Sequence, residues 1–405
     1  MNLPKVTGIV AEYNPLHNGH VYQLNKAKEL SGAEALIVVL SSDFVQRGEP
    51  AFLSMHERAK LAVLHGADLV LELPALFSCG NAGIFADSAV KLSAATGIVK
   101  TLSFGMEDPD WDLISAASIL VEEPDSFKFL LKKNLESGFS FAEARVNALD
   151  SCMPGAASKL AGSNNSLALN YAAAIIKNHC EISLVPVQRT GTAHDTSDLS
   201  EAYASSSALR NMLRENNLTA VKSFVPEKSA QVIKENLNSG TAYISHDRLW
   251  TALRPLLLRS SSEDFFKTAE ISEGIENKFI AEALSADSFD EWLERCTSRR
   301  YPKGRIRRQA MQLLLGTDRW TRYASQRLGV PYIRPLAMNA NGRELLKIMK
   351  ETAKLPVIAK CGDAKFSAYA EKIMQYDLLA SELRRGFLPC GNCGTAHAEK
   401  IYIAD

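Results

Sequence analysis

Residues 6–20 run Val6-Thr7-Gly8-Ile9-Val10-Ala11-Glu12-Tyr13-Asn14-Pro15-Leu16-His17-Asn18-Gly19-His20, a short β-rich apolar stretch that turns directly into a helix start. In an open parallel sheet, ligands sit beyond the carboxyl ends of the strands, and the first strand-to-helix turn is the usual place for phosphate. The N–H groups and dipole of a helix start attract anions, and imidazoles at i and i+3 can donate hydrogen bonds to phosphate oxygens from the same place. Gly19 lets the backbone approach a base or phosphate closely. Such a site positions and stabilises charge without a covalent nucleophile, which suits attack on an α-phosphate with pyrophosphate leaving. Two blander readings compete: histidines that only cap the helix, and a zinc pair, which lacks a third ligand nearby.

Further apolar, β-rich runs follow at 35–40 (ALIVVL), 68–73 (DLVLEL), 98–104 (IVKTLSF) and 182–187 (ISLVPV), separated by helix-length patterns. Strands buried on both faces read this way, and the crossovers imply an α/β fold with a Rossmann-like, doubly wound parallel sheet. Ser54 and Glu57 form a capping-box pattern before the third strand, with Gly66 placed as a left-handed stop. Residues 108–164 read as a helical insertion, a helix is expected over 165–178, and a loop RTGTAHDTSD follows the 182–187 strand. Beyond about 220 no further βαβ unit is evident, so we expect a catalytic domain over 1–220 and a mainly α-helical domain over 221–405.

Composition excludes several classes. The apolar and charged fractions are those of a globular protein, and no run is long enough to span a membrane or resembles a secretory leader. Seven cysteines, mostly isolated (Cys79, Cys152, Cys180, Cys296, Cys361), argue for reduced thiols and a cytoplasmic location. Forty-six basic against 46 acidic residues leave only local patches as candidate nucleic-acid surfaces. One lies between 299 and 334, where Arg299, Arg300, Lys303, Arg305, Arg307, Arg308, Arg319, Arg322, Arg327 and Arg334 face a single acid, Asp318. A helix over 303–315 would put Arg305, Arg308 and Gln312 on one face and bury Ile306, Ala310 and Leu313 or Leu314 on the other. Trp320 and Tyr323 offer stacking surfaces for unpaired bases. Arginines paired with acids elsewhere in the fold are the competing reading.

A second anion cradle is legible at Ala204-Ser205-Ser206-Ser207-Ala208-Leu209-Arg210, hydroxyls at a helix start with an Arg one turn on. With HxGH after the first strand, the pair resembles the signature of the nucleotidyltransferase and class I aminoacyl-tRNA synthetase superfamily. Longer segments narrow the likeness to the bacterial tRNA(Met) cytidine acetate ligases: 10–20 (VAEYNPLHNGH), 44–51 (FVQRGEPA), 66–74 (GADLVLELP), 102–107 (LSFGME), 164–171 (NNSLALNY), 189–195, 204–210 and Tyr332-Ile333-Arg334. The resemblance implies that ATP and acetate give acetyl-AMP and pyrophosphate, and that acetyl then passes to N4 of the wobble cytidine of elongator tRNA(Met). It implies an ATP site formed by Val10, Ala11, Glu12, Tyr13, Asn14, Pro15, Leu16, His17, Asn18, Gly19, His20, Val21, Tyr22 and Gln23, with Gly105, Asn165 or Asn164, and Arg189. Mg²⁺ is expected with ATP, held largely by phosphate oxygens and water. The departures from the family pattern are Ser42, Ala168, Asn170 and Ala193, which bear on substrate handling more than on ATP binding.

Catalytic roles are expected for His17, His20, Arg47, Ser206 and Arg210, with Glu49 holding Arg47 in place on the loop after the second strand. The surface expected to bind tRNA comprises Arg305, Arg307, Arg308, Arg319 and Arg322. Cys390 and Cys393, with His397, resemble half a zinc ribbon, which alone is weak evidence for metal. Glu122 with Glu123, and Glu270, Glu273 and Glu276, read as solvated helix faces. No sequence signal sets the oligomeric state. Two other activities fit the same motifs: a nucleotidyltransferase adenylylating a small soluble acceptor, and a non-catalytic ATP-sensing RNA-binding protein. A synthetase fits less well, because no Lys-Met-Ser-Lys-Ser-like loop follows the sheet.

Overall fold

The computed structural model describes residues 3–189, 203–215, 217–268, 270–271, 274–359, 366–391, 393–394 and 399–404. Ala193, most of the 189–198 loop, Glu273, Cys361 and His397 lie outside the described residues.

Five expected strands form where the apolar runs lie: β1 (Val6–Ala11), β2 (Ala35–Ser41), β5 (Leu69–Leu73), β6 (Val99–Met106) and β7 (Ser183–Gln188). Between them, the two-residue strands β3 (Phe44–Val45) and β4 (Glu49–Pro50) make a tight antiparallel pair after β2. Every residue of β2 and β5 is buried, which places them at the centre of a sheet covered on both faces. The side-chain period of two divides the core accordingly. Ile37, Val39, Leu69 and Leu71 pack on one side, while Leu36, Val38, Leu40 and Val70 pack on the other. Fully burying each such side chain contributes roughly 1.5–3 kcal/mol.

The expectation that residues beyond 220 add nothing to the sheet is corrected. Strands β8 (Pro335–Met338) and β9 (Tyr402–Ile403) complete a seven-stranded sheet in the order β7-β6-β1-β2-β5-β8-β9. Strand β8 runs antiparallel to β5, and the other pairings are parallel. Two buried polar devices hold this junction. Arg334 pairs with Glu72 at 2.8 Å, and Asp68 accepts from Leu36 N at 2.8 Å and from Asn339 Nδ2 at 2.9 Å. The Tyr332-Ile333-Arg334 segment is therefore structural: Tyr332 donates to buried Asp377 at 2.6 Å, and Ile333 is fully buried.

The helical insertion forms as helices Leu113–Glu122, Asp125–Glu136, Phe141–Cys152 and Ala156–Lys159. A third core cluster lies in the C-terminal half, around Leu253, Phe279, Trp292 and Ile306, and it includes Phe44, Ala75 and Cys79 from the first half. This shared packing explains how helix Lys303–Leu314 comes to stand against the loop after β2. Gly48, at φ +76°, lets the two backbones touch, since a Cβ there would lie 2.5 Å from Arg308 N.

Candidate active site

Beyond the carboxyl ends of β1 and β6 lies a cleft of about 540 Å³. Its walls come from the β1 turn, the β3–β4 loop, the start of helix Ser163–Lys177, the 205–206 turn and helix Lys303–Leu314.

His17 is the N-cap of helix Asn18–Ser31, and His20 sits one turn inside it. The two rings stack at 3.7 Å between centroids. Each Nδ1 is engaged by main chain: His17 Nδ1 accepts from Gly19 N at 3.1 Å, and His20 Nδ1 accepts from His17 N at 3.3 Å. The proton of each neutral imidazole therefore resides on Nε2, which makes both rings donors to the cleft. Burial, reinforced by Arg189, lowers His17 to about 3. His20 lies well below its ordinary value for the same reasons, with His17 as a further cause. Both rings are neutral at physiological pH; the helix-cap reading holds for these residues, and both also line the cleft. Gly19 answers to the His17 ring, because a Cβ there would lie 3.0 Å from His17 Cε1.

Of the fourteen residues from Val10 to Gln23, seven line the cleft: Val10, Ala11, Glu12, Tyr13, His17, His20 and Gln23. The others build the turn. Asn14 accepts from Phe52 N at 2.8 Å, Pro15 O accepts from Ser206 at 3.5 Å, and Leu16 is fully buried. Asn18 bonds to Phe224 O and Ser223 O, Val21 packs into the core, and Tyr22 meets Tyr203 edge-on.

Across the cleft, Gly105 and Arg189 lie where expected, and Arg189 Nη1 reaches Asn164 Oδ1 at 3.4 Å. A Cβ on Gly105 would meet only Arg189 methylenes at ordinary distance, so its open face is toward the cleft. Asn164 lines the cleft, whereas Asn165 is 2% exposed and acts as a clamp. Its Oδ1 accepts from Glu107 N at 2.9 Å and its own N–H donates back to Glu107 at 2.7 Å. Of Asn164 and Asn165, Asn164 is the one that lines the cleft. Ala168 and Ser42 are buried, and Asn170 donates to Ser166 O.

Arg47 lines the cleft, but the expected partnership with Glu49 is corrected: Glu49 holds Arg210, at 2.6 Å. Arg210 also donates to Asn14 O at 2.7 Å and to Ser207 at 3.3 Å. It stands behind the cleft wall and fixes the turn, while Ser205 and Ser206 face the cleft. Ser205 caps helix Ser206–Arg214 by accepting from Ala208 N at 3.2 Å.

The basic segment divides in three. Lys303, Arg307 and Arg308 line the cleft. Arg322 is corrected as an RNA contact, because it is 4% exposed, donates to Leu76 O at 2.5 Å and pairs with Glu270. Gln312, expected beside Arg305 and Arg308 on the polar face, is likewise buried. Arg305 lies over Tyr301 and Arg319 over Phe266. Trp320 is 80% exposed and Tyr323 51%, with Arg327 over the Tyr323 ring.

Two buried arginines escaped the sequence reading. Arg58 donates to Glu12 O at 2.6 Å, Ser42 O at 2.7 Å and Leu53 O at 3.1 Å. Arg384 donates to Ala51 O and Phe52 O, both at 2.7 Å. Together they staple the loops after β1 and β2. Their hydrogen-bond acceptors here are main-chain carbonyls, which leave no trace in sequence.

The family model of the HIGH nucleotidyl transferases matches residues 4–393. The tRNA(Met) cytidine acetate ligase of Clostridium acetobutylicum is 34% identical over 374 residues, which are 90% of this chain and 92% of the relative. That of Clostridium kluyveri is 34% identical over 388 residues, 93% of this chain and 94% of the relative. The crystal structure of Thermotoga maritima TmcAL in its apo form superposes with a TM-score of 0.94 at 32% identity, covering 98% of this chain and 99% of that one. The same protein bound with alpha-thio ATP gives a TM-score of 0.92 at 32% identity, with the same coverage of both chains. Fold, cleft and sequence agree across nearly the whole length: the chain belongs to the tRNA(Met) cytidine acetate ligase family of HIGH nucleotidyl transferases.

Proposed function

We propose that this chain activates acetate with ATP, releasing pyrophosphate, and transfers the acetyl group from acetyl-AMP to N4 of the wobble cytidine of elongator tRNA(Met), giving N4-acetylcytidine. The observation that carries the reading is the convergence of nucleotide motif and basic helix on one cleft. His17 and His20 offer Nε2–H donors, Ser205 and Ser206 offer hydroxyls, and Arg47, Arg189, Lys303, Arg307 and Arg308 supply positive charge. Donors fixed before the reaction stabilise the charge developing on the α-phosphate as acetate attacks and pyrophosphate leaves. Arg210 serves this by positioning the Asn14 turn through its bonds to Asn14 O and Glu49. Among the described residues no group of three or more His, Cys, Asp or Glu side chains is arranged to hold a metal. Mg²⁺ bound with ATP would be held largely by phosphate oxygens and water.

The tRNA surface is redrawn from the sequence expectation. Trp320, Tyr323 and Arg327 lie at i, i+3 and i+7 on helix Arg319–Leu328, a face that suits stacking on unpaired bases. Arg319 lies on the same helix, and Arg307 and Arg308 act on the nucleotide. No helix among the described residues is long and apolar enough to cross a membrane, and a tRNA substrate fits the cytoplasm. The test is incorporation of labelled acetate into an elongator tRNA(Met) transcript in the presence of ATP, beside a transcript whose wobble cytidine is replaced by uridine. Incorporation only into the cytidine transcript is expected; incorporation into both, or into neither, contradicts the reading.

A further inference from the structure

Acetyl transfer leaves a proton to be removed. The exocyclic amine of cytosine has its lone pair drawn into the ring, so attack on a carbonyl needs a base that accepts the N–H proton as the bond forms. Most ionisable groups around the cleft are unsuited to this. Arg47, Arg189, Lys303, Arg307 and Arg308 are cations, and the Nδ1 atoms of His17 and His20 are already accepting from main chain. Among the described residues lining the cleft, Glu12 alone carries a carboxylate.

Its placement is fixed from both ends. A side-chain oxygen of Glu12 accepts from Gln46 N at 2.8 Å, and its main-chain oxygen accepts from buried Arg58 at 2.6 Å. The carboxylate therefore stands just beyond the end of β1, in the cleft that His17 and His20 also line, held by groups that take no part in the chemistry.

We propose that Glu12 is the general base of acetyl transfer. As the cytidine N4 atom bonds to the acetyl carbonyl carbon, the amine proton passes to the Glu12 carboxylate. The bond from that carbon to the phosphate oxygen breaks, and AMP leaves with the bonding pair. This role rests on the acetyl-adenylate reading above. Burial is the largest influence on Glu12 and lifts it above the ordinary carboxylate value; Arg47 and Arg210 oppose the shift, Glu49 adds to it, and the Gln46 N–H opposes it. Arg58 and Tyr171 are further ionisable groups in its field. A carboxylate so placed is a stronger base than a surface glutamate.

The test separates the two half-reactions on the full chain, wild type first. Wild-type enzyme exchanges pyrophosphate into ATP with acetate, and transfers acetyl from supplied acetyl-AMP to tRNA(Met) at a rate that rises with pH and levels off. Glu12→Gln should cut transfer by about 10²–10⁴-fold while slowing exchange by less than about tenfold, and should lose the rising pH limb. Glu12→Asp should recover part of the transfer rate together with that limb. Equal losses in both half-reactions, wild-type transfer in Glu12→Gln, or loss of ATP binding in both variants makes Glu12 a binding or structural residue and overturns the proposal. Absence of exchange in the wild type overturns the acetyl-adenylate reading itself, and the base role with it.

Discussion

His17 and His20 owe their chemistry to main-chain hydrogen bonds. Because each Nδ1 accepts from an N–H of the same turn, and burial lowers both pKa values, the rings deliver protons in hydrogen bonds without carrying charge. Removing one such donor costs about 10²–10³-fold in rate, so His20→Ala should reduce acetate-dependent pyrophosphate exchange by that factor. Gly105→Ala tests the opposite wall. The added methyl meets only Arg189 side-chain carbons at 3.5 and 3.8 Å, so the fold should tolerate it, and the loss should fall on the KM for ATP. A fall in melting temperature with unaltered KM would instead make Gly105 a folding residue. The placement of His17, His20, Ser205 and Ser206 at one cleft was legible because it depends on spacing within one turn. The partner of Glu49 was not: Arg47 and Arg210 are equivalent choices on paper, and only the packing of helix Ser206–Arg214 onto the Asn14 turn selects Arg210.

At the scale of elements, the contact of the β3–β4 loop with helix Lys303–Leu314 governs the cleft. Gly48→Ala places a methyl 2.5 Å from Arg308 N and 2.8 Å from Arg307 C. Backbone cannot yield as a side-chain tip can, so the variant should lose about 1–3 kcal/mol in urea unfolding together with ATP affinity. A second device gives a pH signature. Burial alone would raise Asp43, but Arg384 and Arg58, with hydrogen bonds from Ser381 and from Met55 N, hold it below the usual carboxylate value. A depressed folded-state pKa contributes stability that is complete above the unfolded value of about 3.9 and is lost as pH falls through the lower folded one. Stability of the wild type should decline across that acid window, and Asp43→Asn should flatten the decline in a urea series. Strands β1, β2, β5, β6 and β7 were readable from apolar runs, because burial on both faces leaves no ambiguity of period. Strand β8 was not, since four residues beginning at Pro335 carry no pattern of their own, and their place beside β5 depends on Glu72 meeting Arg334.

For the molecule as a whole, the structure divides between two places the basic residues that the sequence reading assigned to one surface. Lys303, Arg307 and Arg308 line the cleft, while Trp320 and Tyr323 are exposed on helix Arg319–Leu328, the face we propose for RNA. Charge alone could not separate these roles, because arginines facing a cleft, a core carbonyl or solvent look alike in a basic run. Stacking on an aromatic side chain is worth about 1–3 kcal/mol per base, so Trp320→Ala with Tyr323→Ala should weaken tRNA(Met) binding at least tenfold and leave ATP affinity as it is. Unchanged tRNA affinity would remove this face from the interface. The central claim, that the cleft joins acetate to AMP, is tested most directly by exchange of labelled pyrophosphate into ATP without tRNA, in the presence and absence of acetate. Exchange that requires acetate and falls in His20→Ala is expected; exchange independent of acetate, or none with it, would contradict the account.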